Sequence, residues 1–291
     1  MSRTIGIAGI QLGPTPDDID ETWARAARLI RQTVASWPWI NLVVLPELSL
    51  HAVASFAPRT TGLGIAGRAE PIPGPTTARA CELAAALGVW LVPGTIYERD
   101  GDQIRNTAVV ISPDGEIVAC YRKMFPWEPL ETSDPGSEPC IFEIPGVGVF
   151  GLCVCYDTWF PEVSRALFAR GAEVILHPSL TATWDRELEL VIARATAIFN
   201  QCYFLDVNSA NAVGGGRSTL IGPEGDVLHQ AQAGEEVFAR QLDLGAVTRV
   251  RENGTLGLNR LQRGLPRALE VAAVARERLQ REESEGLALP R

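Results

Sequence analysis

The stretch VFGLCVCYDTWFPEVSRALFARGAEVILH, residues 149–177, contains one complete strand, helix and strand. Residues 149–154 are apolar and predict a short buried strand, Pro161 suits the first turn of a helix, and Gly171 ends that helix. Residues 173–177 then predict a second strand. Because strands that alternate with helices form layered structures, this stretch predicts an α/β fold.

Both sides of this unit continue the alternation. Toward the N-terminus, Thr4–Gln11 predicts a buried strand, residues 18–35 predict an amphipathic helix, and residues 42–45 predict a second strand. Toward the C-terminus, residues 184–200 predict a helix that leads into a strand at residues 202–207. The sequence therefore predicts one layered α/β core, without an internal repeat or a linker.

The middle of the chain has a different pattern. The runs 89–98, 105–112 and 116–122 predict three strands, with Asp-Gly turns between them that are typical of an antiparallel meander. Residues 123–139 follow and are rich in proline, tryptophan, glutamate and glycine without a clear period. A long ordered loop of this kind is often used for binding.

The core pattern ends near Asp243, and a stretch rich in arginine and glutamate follows it. We predict one domain over residues 1–251 and a C-terminal extension over residues 252–291. A predicted helix at residues 266–280 could contact a partner subunit or form a solvated tail.

Composition narrows the class of partner. The 291-residue chain has a formal net charge of −9, which provides no overall basic field for nucleic acid or anionic lipid. We therefore expect a small-molecule substrate, with neither nucleic acid nor a membrane as a partner. No apolar run is long enough to span a membrane, the N-terminus lacks a signal-peptide core, and six dispersed cysteines predict free thiols. These features predict a cytoplasmic protein.

Cys155 is the candidate nucleophile. It follows an apolar strand and precedes a predicted helix, which is the geometry of a nucleophile elbow, although most free cysteines are simply buried core residues. A thiol needs a base or a cation beside it to react. The three histidines of the chain form no local Cys-His motif, whereas Glu47 and Lys123 both lie at predicted strand ends. Each of these charges taken alone is more often a solvated surface residue.

Three short blocks give these residues a context. They are LPEL at residues 45–48, YRK at residues 121–123, and GLCVCYD at residues 151–157 followed by FPE at residues 160–162. In order, spacing and flanking residues, the chain resembles the nitrilase, or carbon-nitrogen hydrolase, superfamily from its first strand to about Arg251. The resemblance implies a four-layer α-β-β-α sandwich of the nitrilase type and a carbon-nitrogen hydrolase domain over residues 1–251.

The resemblance also implies the catalytic residues. Glu47, Lys123 and Cys155 stand where the family has its Glu-Lys-Cys triad. The loop that begins at Lys123 resembles that of aliphatic amidases and formamidases, in which a second glutamate follows the lysine and helps to position the substrate. Glu131 has the family's spacing for that role, whereas Glu128 does not.

The implied chemistry requires no metal and no cofactor. Glu47 would take the thiol proton as Cys155 attacks a carbonyl carbon, and a thioester would then be hydrolysed by water. Lys123 and the backbone N–H of Tyr156 would stabilise the tetrahedral oxyanion. The scattered histidines, without HExxH or paired CxxC motifs, indicate no zinc site.

The substrate is less clearly indicated by the sequence. We predict contacts from Tyr156, Trp127, Trp159 and Trp184, because their loops lie near the cleft. The family includes amidases, N-carbamoyl hydrolases and nitrilases. The loop at Pro126 and Trp127 favours a small amide, whereas the block at residues 155–157 with FPE at residues 160–162 resembles the carbamoyl-cleaving branch. Some hydrolases of carbamoyl amino acids have an arginine just after the nucleophile, but residues 157–159 of this chain are DTW, which favours a neutral amide unless Arg186 or Arg217 holds a carboxylate.

Two other classes of protein stay open. A catalytically silent scaffold of the same fold would have little reason to keep all three triad residue types. A thiol redox protein would need a resolving cysteine, and Cys153 on the same strand face as Cys155 would place the Cα atoms about 6.6 Å apart, near the limit for a disulfide. The resemblance further implies a homodimer or a larger homo-oligomer, joined back to back through the sandwich face.

Overall fold

Strands with buried apolar side chains form two sheets in the computed structural model, which describes residues 3–51 and 65–284. Within these residues the first sheet has seven strands, which are β1 (Thr4–Gln11), β2 (Leu42–Val44), β3 (Trp90–Val92), β4 (Thr95–Asp100), β5 (Gln103–Ile111), β6 (Ile117–Arg122) and β13 (Glu236–Asp243). Their order is β13-β1-β2-β3-β5-β4, and β6 also pairs with β5. The β1, β2 and β3 strands are parallel, and the other pairs are antiparallel.

The second sheet carries the segment that predicted the fold. Its six strands in the described part of the chain are β7 (Cys140–Ile144), β8 (Gly148–Leu152), β9 (Val174–Ser179), β10 (Tyr203–Asn208), β11 (Thr219–Ile221) and β12 (Val227–Gln230). They lie in the order β12-β11-β10-β9-β8-β7, with β8, β9 and β10 parallel. The strand, helix and strand predicted at residues 149–177 are confirmed.

Helices cover the outer faces of the two sheets. The helices in the described residues are α1 (Ile19–Ser36), α2 (Ile65–Arg68), α3 (Pro75–Leu87), α4 (Pro161–Ala169), α5 (Arg186–Asn200), α6 (Asn211–Gly214), α7 (Leu244–Asn253) and α8 (Leu261–Ser284). Helices α1 and α3 pack on the first sheet, and α4 and α5 pack on the second. The predicted four-layer α-β-β-α sandwich is therefore confirmed.

The period-two alternation of strand side chains explains this layering. In β1, Ile5 and Ile7 lie in the core between the sheets, whereas Ala8 and Ile10 lie in the core beneath α1 and α3. A strand buried on both faces reads as a continuous apolar run, and its alternate side chains enter two separate cores.

Three details of the strand prediction were wrong. The run 89–98 is two strands, because Pro93 and Gly94 break it, and a Cβ at Gly94 would lie 1.8 Å from the carbonyl oxygen of Pro46. The strands β7 and β13 were not predicted, because β7 has only five residues directly after a long loop and β13 mixes charged and apolar residues without a clear period. They pair with β8 and β1 respectively.

The chain forms two compact units, Met1–Val247 and Thr248–Arg291. Helix α8 belongs to the second unit and includes the helix predicted at residues 266–280. The division after residue 251 and the subunit contact of the extension stay predictions. None of the helices in the described residues is long and apolar enough to cross a membrane.

Candidate active site

Glu47, Lys123 and Cys155 meet at one end of the two sheets. Each follows a strand: Glu47 comes after β2, Lys123 directly after β6, and Cys155 after β8. Their exposed fractions are 0%, 1% and 5%, so none of them is a solvated surface charge. The Lys123 ammonium donates to Glu47 Oε1 at 2.9 Å.

Lys123 lies between two carboxylates. Its Nζ also donates to Glu131 Oε2 at 2.6 Å, and Asn106 Nδ2 donates to both glutamates at 2.8 Å. Burial opposes the charge of Lys123, but the negative charges of Glu47 and Glu131 raise its pKa well above the usual value. Lys123 is therefore a fixed cation, because its pKa keeps it protonated at any physiological pH.

Glu131 belongs to this cluster and Glu128 does not. Glu131 accepts further hydrogen bonds from Ser133 Oγ and from the backbone N–H of Trp127, both at 3.0 Å, whereas Glu128 is exposed. Burial alone would raise the pKa of Glu131, but Lys123 and these donors hold it below the usual value. Glu131 is therefore an ionised carboxylate with fixed geometry.

Glu47 is less fully satisfied than Glu131. Its Oε2 atom is buried and has no hydrogen-bond partner of ordinary geometry among the described residues, while the thiol of Cys155 beside this carboxylate opposes the rise in its pKa. Burial raises the pKa of Glu47 despite the nearby charge of Lys123. An unpartnered carboxylate oxygen with a raised pKa can accept a proton at low energetic cost.

Cys155 has the backbone geometry of a nucleophile elbow. Its φ is +47°, a left-handed value that is uncommon for a residue with a side chain, and a 3₁₀ turn over Cys155–Trp159 begins with it. Its Sγ lies 3.6 Å from Thr181 Oγ1 and 4.0 Å from the carbonyl oxygen of Leu180. Burial and the charge of Glu47 raise the pKa of the thiol well above the usual value, so Cys155 requires a base to become a thiolate.

This backbone turn also separates Cys155 from Cys153. Cys153 packs in the core with α4 and α5, whereas Cys155 faces the core between the sheets. The prediction that they share a strand face is wrong, because β8 ends at Leu152 and the chain then turns.

Asp157 joins the nucleophile turn to the loop that carries Lys123. Its carboxylate accepts hydrogen bonds from Tyr121 Oη at 2.7 Å, from the N–H of Val154 at 2.9 Å, and from the N–H of Phe125 at 2.9 Å. Sequence reasoning assigned no role to Asp157, Tyr121 or Asn106. Asn106 lies between Arg105 and Thr107 in the polar first half of β5, so no signal in the sequence distinguished it.

A pocket opens above Cys155. Its empty volume, including the part open to solvent, is about 240 Å³. The described residues that line it are Trp127, Cys155, Tyr156, Trp159, Leu180, Thr181, Thr183, Asp185 and Glu189. Three of the four predicted substrate contacts therefore lie at the pocket.

Trp184 is the exception. Its side chain is 82% exposed and is not among the described residues that line the pocket. The residue lies just before α5, where its neighbours Thr183 and Asp185 line the pocket instead. The structure does not bring Trp184 to the pocket, because sequence position near the cleft does not determine the side-chain direction, and its contact with the substrate stays a prediction.

Neither arginine that could have held a substrate carboxylate lines the pocket. Arg186 is buried, and it donates to Asp206 and to Glu189. Arg217 pairs with the exposed Glu187. Both guanidinium groups are therefore already engaged in ion pairs.

Comparisons with known proteins identify the family of the chain. The carbon-nitrogen hydrolase family model matches residues 6–252. An omega-amidase of Xenopus tropicalis is 31% identical over 251 residues, which cover 80% of this chain and 86% of that protein. A formamidase of Bacillus thuringiensis is 34% identical over 201 residues, which cover 66% of this chain and 57% of the formamidase.

Solved structures show the same fold. A branch 10 member of the nitrilase superfamily from Saccharomyces cerevisiae has a TM-score of 0.75 and 28% identity, over 87% of this chain and 94% of that one. A glutamate-to-glutamine mutant of an amidase from Nesterenkonia sp. has a TM-score of 0.70 and 25% identity, over 85% and 93%. In that amidase the acetamide moiety of fluoroacetamide is covalently bound to the active-site cysteine.

Proposed function

The chain belongs to the carbon-nitrogen hydrolase family, and we propose that it hydrolyses a small amide to a carboxylic acid and ammonia or an amine through a thioester on Cys155. Hydrolysis of carbon-nitrogen bonds other than peptide bonds follows from the family and its amidase relatives. The proposal of a thioester mechanism rests on the position of Cys155. This residue lies on a left-handed turn beside the buried carboxylate of Glu47, which has one oxygen unpartnered among the described residues.

The first half of the reaction forms the thioester. Glu47 accepts the thiol proton as the sulfur of Cys155 attacks the amide carbon, and the carbonyl oxygen becomes an oxyanion. The Lys123 ammonium and the N–H of Tyr156 stabilise that oxyanion. The tetrahedral intermediate then collapses, the carbon-nitrogen bond breaks, and Glu47 returns the proton to the leaving amine.

The second half regenerates the thiol. Glu47 takes a proton from a water molecule, whose oxygen attacks the thioester carbon. The carbon-sulfur bond breaks, the acid leaves, and the sulfur recovers a proton from Glu47. Glu47 therefore acts as base and acid in turn, which suits a carboxyl whose pKa burial raises toward neutrality.

Glu131 and Asn106 position the other two groups. Glu131 accepts from Lys123 at 2.6 Å and Asn106 donates to Glu47 at 2.8 Å, and Asn106 also donates to Glu131 at 2.8 Å. The carboxylate of Glu131 accepts a hydrogen bond from the backbone N–H of the pocket residue Trp127. From this position it can also orient the amide group of the substrate.

The pocket supports a small neutral amide as substrate. Trp127, Tyr156 and Trp159 provide aromatic walls around Cys155, which favour a compact acyl group. The carboxylates of Asp185 and Glu189 are also part of the lining and would repel an anionic substrate. An N-carbamoyl compound and a nitrile are the alternative substrates, because the same nucleophile can attack either carbon.

A substrate panel tests this proposal. Wild type and Cys155→Ala are incubated with small amides, N-carbamoyl compounds and nitriles, while ammonia release and the intact mass of the protein are followed. We expect ammonia from small amides and an acyl adduct on the wild type, with both absent in the variant. Wild-type protein that releases ammonia from no class, and whose thiol resists a small alkylating agent, would support a silent scaffold instead.

We also propose that the chain forms a homodimer or a larger homo-oligomer. Helix α5 leaves Val191 67% exposed and Phe199 56% exposed, and contiguous apolar surface of this kind is typical of subunit contacts. Sedimentation equilibrium would give the mass in solution. Val191→Glu, a charge in this face, should shift the population toward the monomer, whereas Val118→Glu on an exposed strand position should not.

A further inference from the structure

A buried histidine contacts the backbone of the nucleophile. His177 lies in β9, next to β8, and its side chain is almost fully buried. Its Nε2 lies 3.0 Å from the carbonyl oxygen of Cys155, and its Nδ1 lies 2.8 Å from Asp206 Oδ1 on β10. The triad mechanism uses neither His177 nor Asp206.

These two contacts define the protonation of the ring. A carbonyl oxygen can only accept a hydrogen bond, so Nε2 must carry a proton. Burial alone would raise the pKa of Asp206, but Arg186 and His177 hold it below the usual value, so Asp206 is an anionic acceptor and Nδ1 must carry a proton as well. A ring with both nitrogens protonated is an imidazolium cation. Burial opposes this charge, but Asp206 raises the pKa of His177 above the usual value.

The cation therefore contacts one end of a particular peptide group. The carbonyl of Cys155 and the N–H of Tyr156 belong to the same planar amide, in which electrons are delocalised from nitrogen to oxygen. A charged donor on the oxygen increases that delocalisation and makes the N–H a stronger hydrogen-bond donor. This N–H is the backbone donor to the oxyanion in the proposed reaction.

We propose that His177, held by Asp206, is a positioning residue that fixes the left-handed turn at Cys155 and strengthens the Tyr156 N–H as an oxyanion donor. The inference rests on the proposed thioester chemistry, because only that chemistry places an oxyanion at this N–H. His177 itself does not touch the substrate and acts through the peptide group between Cys155 and Tyr156.

The same network reaches the other side of the nucleophile. Asp206 accepts from Arg186, and Arg186 Nη1 donates to Glu189 at 3.1 Å. Glu189 accepts from Thr181 Oγ1 at 3.0 Å, and that hydroxyl lies 3.6 Å from Cys155 Sγ. The carbonyl and the sulfur of Cys155 are thus connected through one buried chain of charged and polar groups. The ionisable groups around His177 are Asp206, Glu189 and Arg186.

Nitrogen NMR tests the charge of His177 without any substrate. The chain has three histidines, and ¹⁵N-labelled protein gives two ring signals for each. We expect both nitrogens of His177 to be protonated at pH 7, with assignment by the loss of these signals in His177→Gln. His51 is the internal reference, because burial and Arg68 lower its pKa to about 4 and its Nδ1 accepts from Tyr97. A neutral His177 ring at pH 7 would overturn the inference.

Kinetics test the consequence of that charge. Glutamine at position 177 can still donate to the Cys155 carbonyl but carries no charge. We expect His177→Gln to lower kcat for the preferred amide by about tenfold with KM changed less than twofold, and His177→Leu to lower kcat by about 10²-fold, the effect of losing one oxyanion donor. Alkylation of Cys155 by iodoacetamide forms no oxyanion and should proceed at the wild-type rate in His177→Gln.

The control is His229→Gln. His229 also contacts a carboxylate, that of Glu236 at 2.7 Å, but no hydrogen bond in the described part of the chain connects it directly to the nucleophile. The kcat of the His229→Gln variant should therefore match that of the wild type. If His177→Gln retains the full kcat, or loses kcat and alkylation rate in equal proportion, the inference is contradicted, because the histidine then has no effect specific to the oxyanion. Wild-type protein that hydrolyses no amide contradicts the proposed function, whereas a neutral His177 contradicts this inference alone.

Discussion

Two buried charge clusters flank Cys155, one from each sheet, and they differ in charge balance. The first consists of Glu47, Lys123 and Glu131, with two carboxylates around one cation, and it leaves Glu47 Oε2 unpartnered among the described residues. The second contains His177, Arg186, Asp206 and Glu189, in which each group has a partner of opposite charge.

This difference separates a reactive cluster from a supporting one. A buried group that lacks a partner can gain one when a proton or a substrate arrives, so the first cluster can take part in proton transfer. A balanced network has no such vacancy, and its contribution is a fixed geometry. The predictions below test this contrast, from the largest expected effect on activity to the smallest.

Lys123→Met should have the largest effect. Removal of the ammonium leaves two buried carboxylates without their cation, so we expect loss of at least about 10³-fold in kcat together with about 3–5 kcal/mol in the free energy of unfolding. Amide turnover and urea denaturation measure the two quantities. A second substitution, Glu131→Gln, removes one of the stranded charges and should restore part of the stability but none of the activity.

Glu47→Gln should lower kcat by about 10²–10⁴-fold, the usual contribution of a general base, with little loss of stability. The amide oxygen can still accept from Lys123, and the variant loses only a charge that burial disfavours. The Glu47→Gln variant should therefore show nearly wild-type thermal unfolding but strongly reduced turnover. The exposed Glu128→Gln is the matched control in the neighbouring loop and should change neither measurement.

Arg186→Met breaks the balanced network instead. It leaves Asp206 and Glu189 without their shared guanidinium, so we expect about 3–5 kcal/mol of lost stability but only about a tenfold lower kcat in the protein that remains folded. Comparison with Lys123→Met tests the contrast directly. If kcat falls as far in Arg186→Met as in Lys123→Met at equal folded fraction, the second cluster takes part in the chemistry.

The acid limb of the pH profile should report Glu47. Burial and the charge of Glu131 raise its pKa, and a protonated Glu47 cannot act as a base, so kcat/KM should fall as the pH drops through that raised pKa. Glu131→Gln removes one cause of the shift and should move the acid limb to lower pH. An acid limb that is unchanged in Glu131→Gln would show that another group controls it.

The contributions of Glu131 and Glu47 to the free energy of unfolding should depend on pH in opposite directions. The pKa of Glu131 is held below the usual value, so its stabilising contribution is present above its unfolded pKa and is lost as the pH falls through its folded pKa. The pKa of Glu47 is raised, so its contribution is present at acid pH and is lost as the pH rises through its folded pKa. Denaturation of Glu131→Gln and of Glu47→Gln at pH values between 3 and 7 would measure the contribution of each carboxylate separately.

Tyr121→Phe should have the smallest effect. It removes the 2.7 Å hydrogen bond to Asp157 but leaves the backbone donors to that carboxylate, so we expect about 1–3 kcal/mol of lost stability and a decrease of about twofold to fivefold in kcat. Thermal unfolding and turnover measure both. Wild-type stability in this variant would mean that Asp157 does not depend on Tyr121.

Much of the fold could be predicted because it rests on local patterns. The apolar runs of β1 and β8, Pro161 at a helix start and Gly171 at its end are all signals within a few residues, and each indicates an element of the α/β layers. The same holds for the position of Cys155 after a strand. Where the apolar pattern weakened, as in β7 and β13, the prediction failed, because those strands depend on pairing with distant segments.

The residues of the active site also divide into those that the sequence indicated and those that it did not. The resemblance of short sequence blocks to the family indicated Glu47, Lys123, Glu131 and Cys155 as candidates. The sequence did not indicate Asn106, whose partners lie 59 and 25 residues away, or the pairing of His177 with Asp206, 29 residues away. It also placed Trp184 at the pocket, although the side chain is exposed.

The sequence by itself determined most elements of the α/β layers, the apolar side chains of their cores, and which residue types are available for chemistry. The tertiary structure decided which buried polar groups meet, because a hydrogen bond is directional and short-ranged and therefore depends on strand register and sheet packing. It also decided the direction of side chains in turns, as at Cys155 and Trp184, where the backbone leaves the regular period. For these reasons, the ionisation of Glu47, Lys123 and His177 is a property of the assembled sheets.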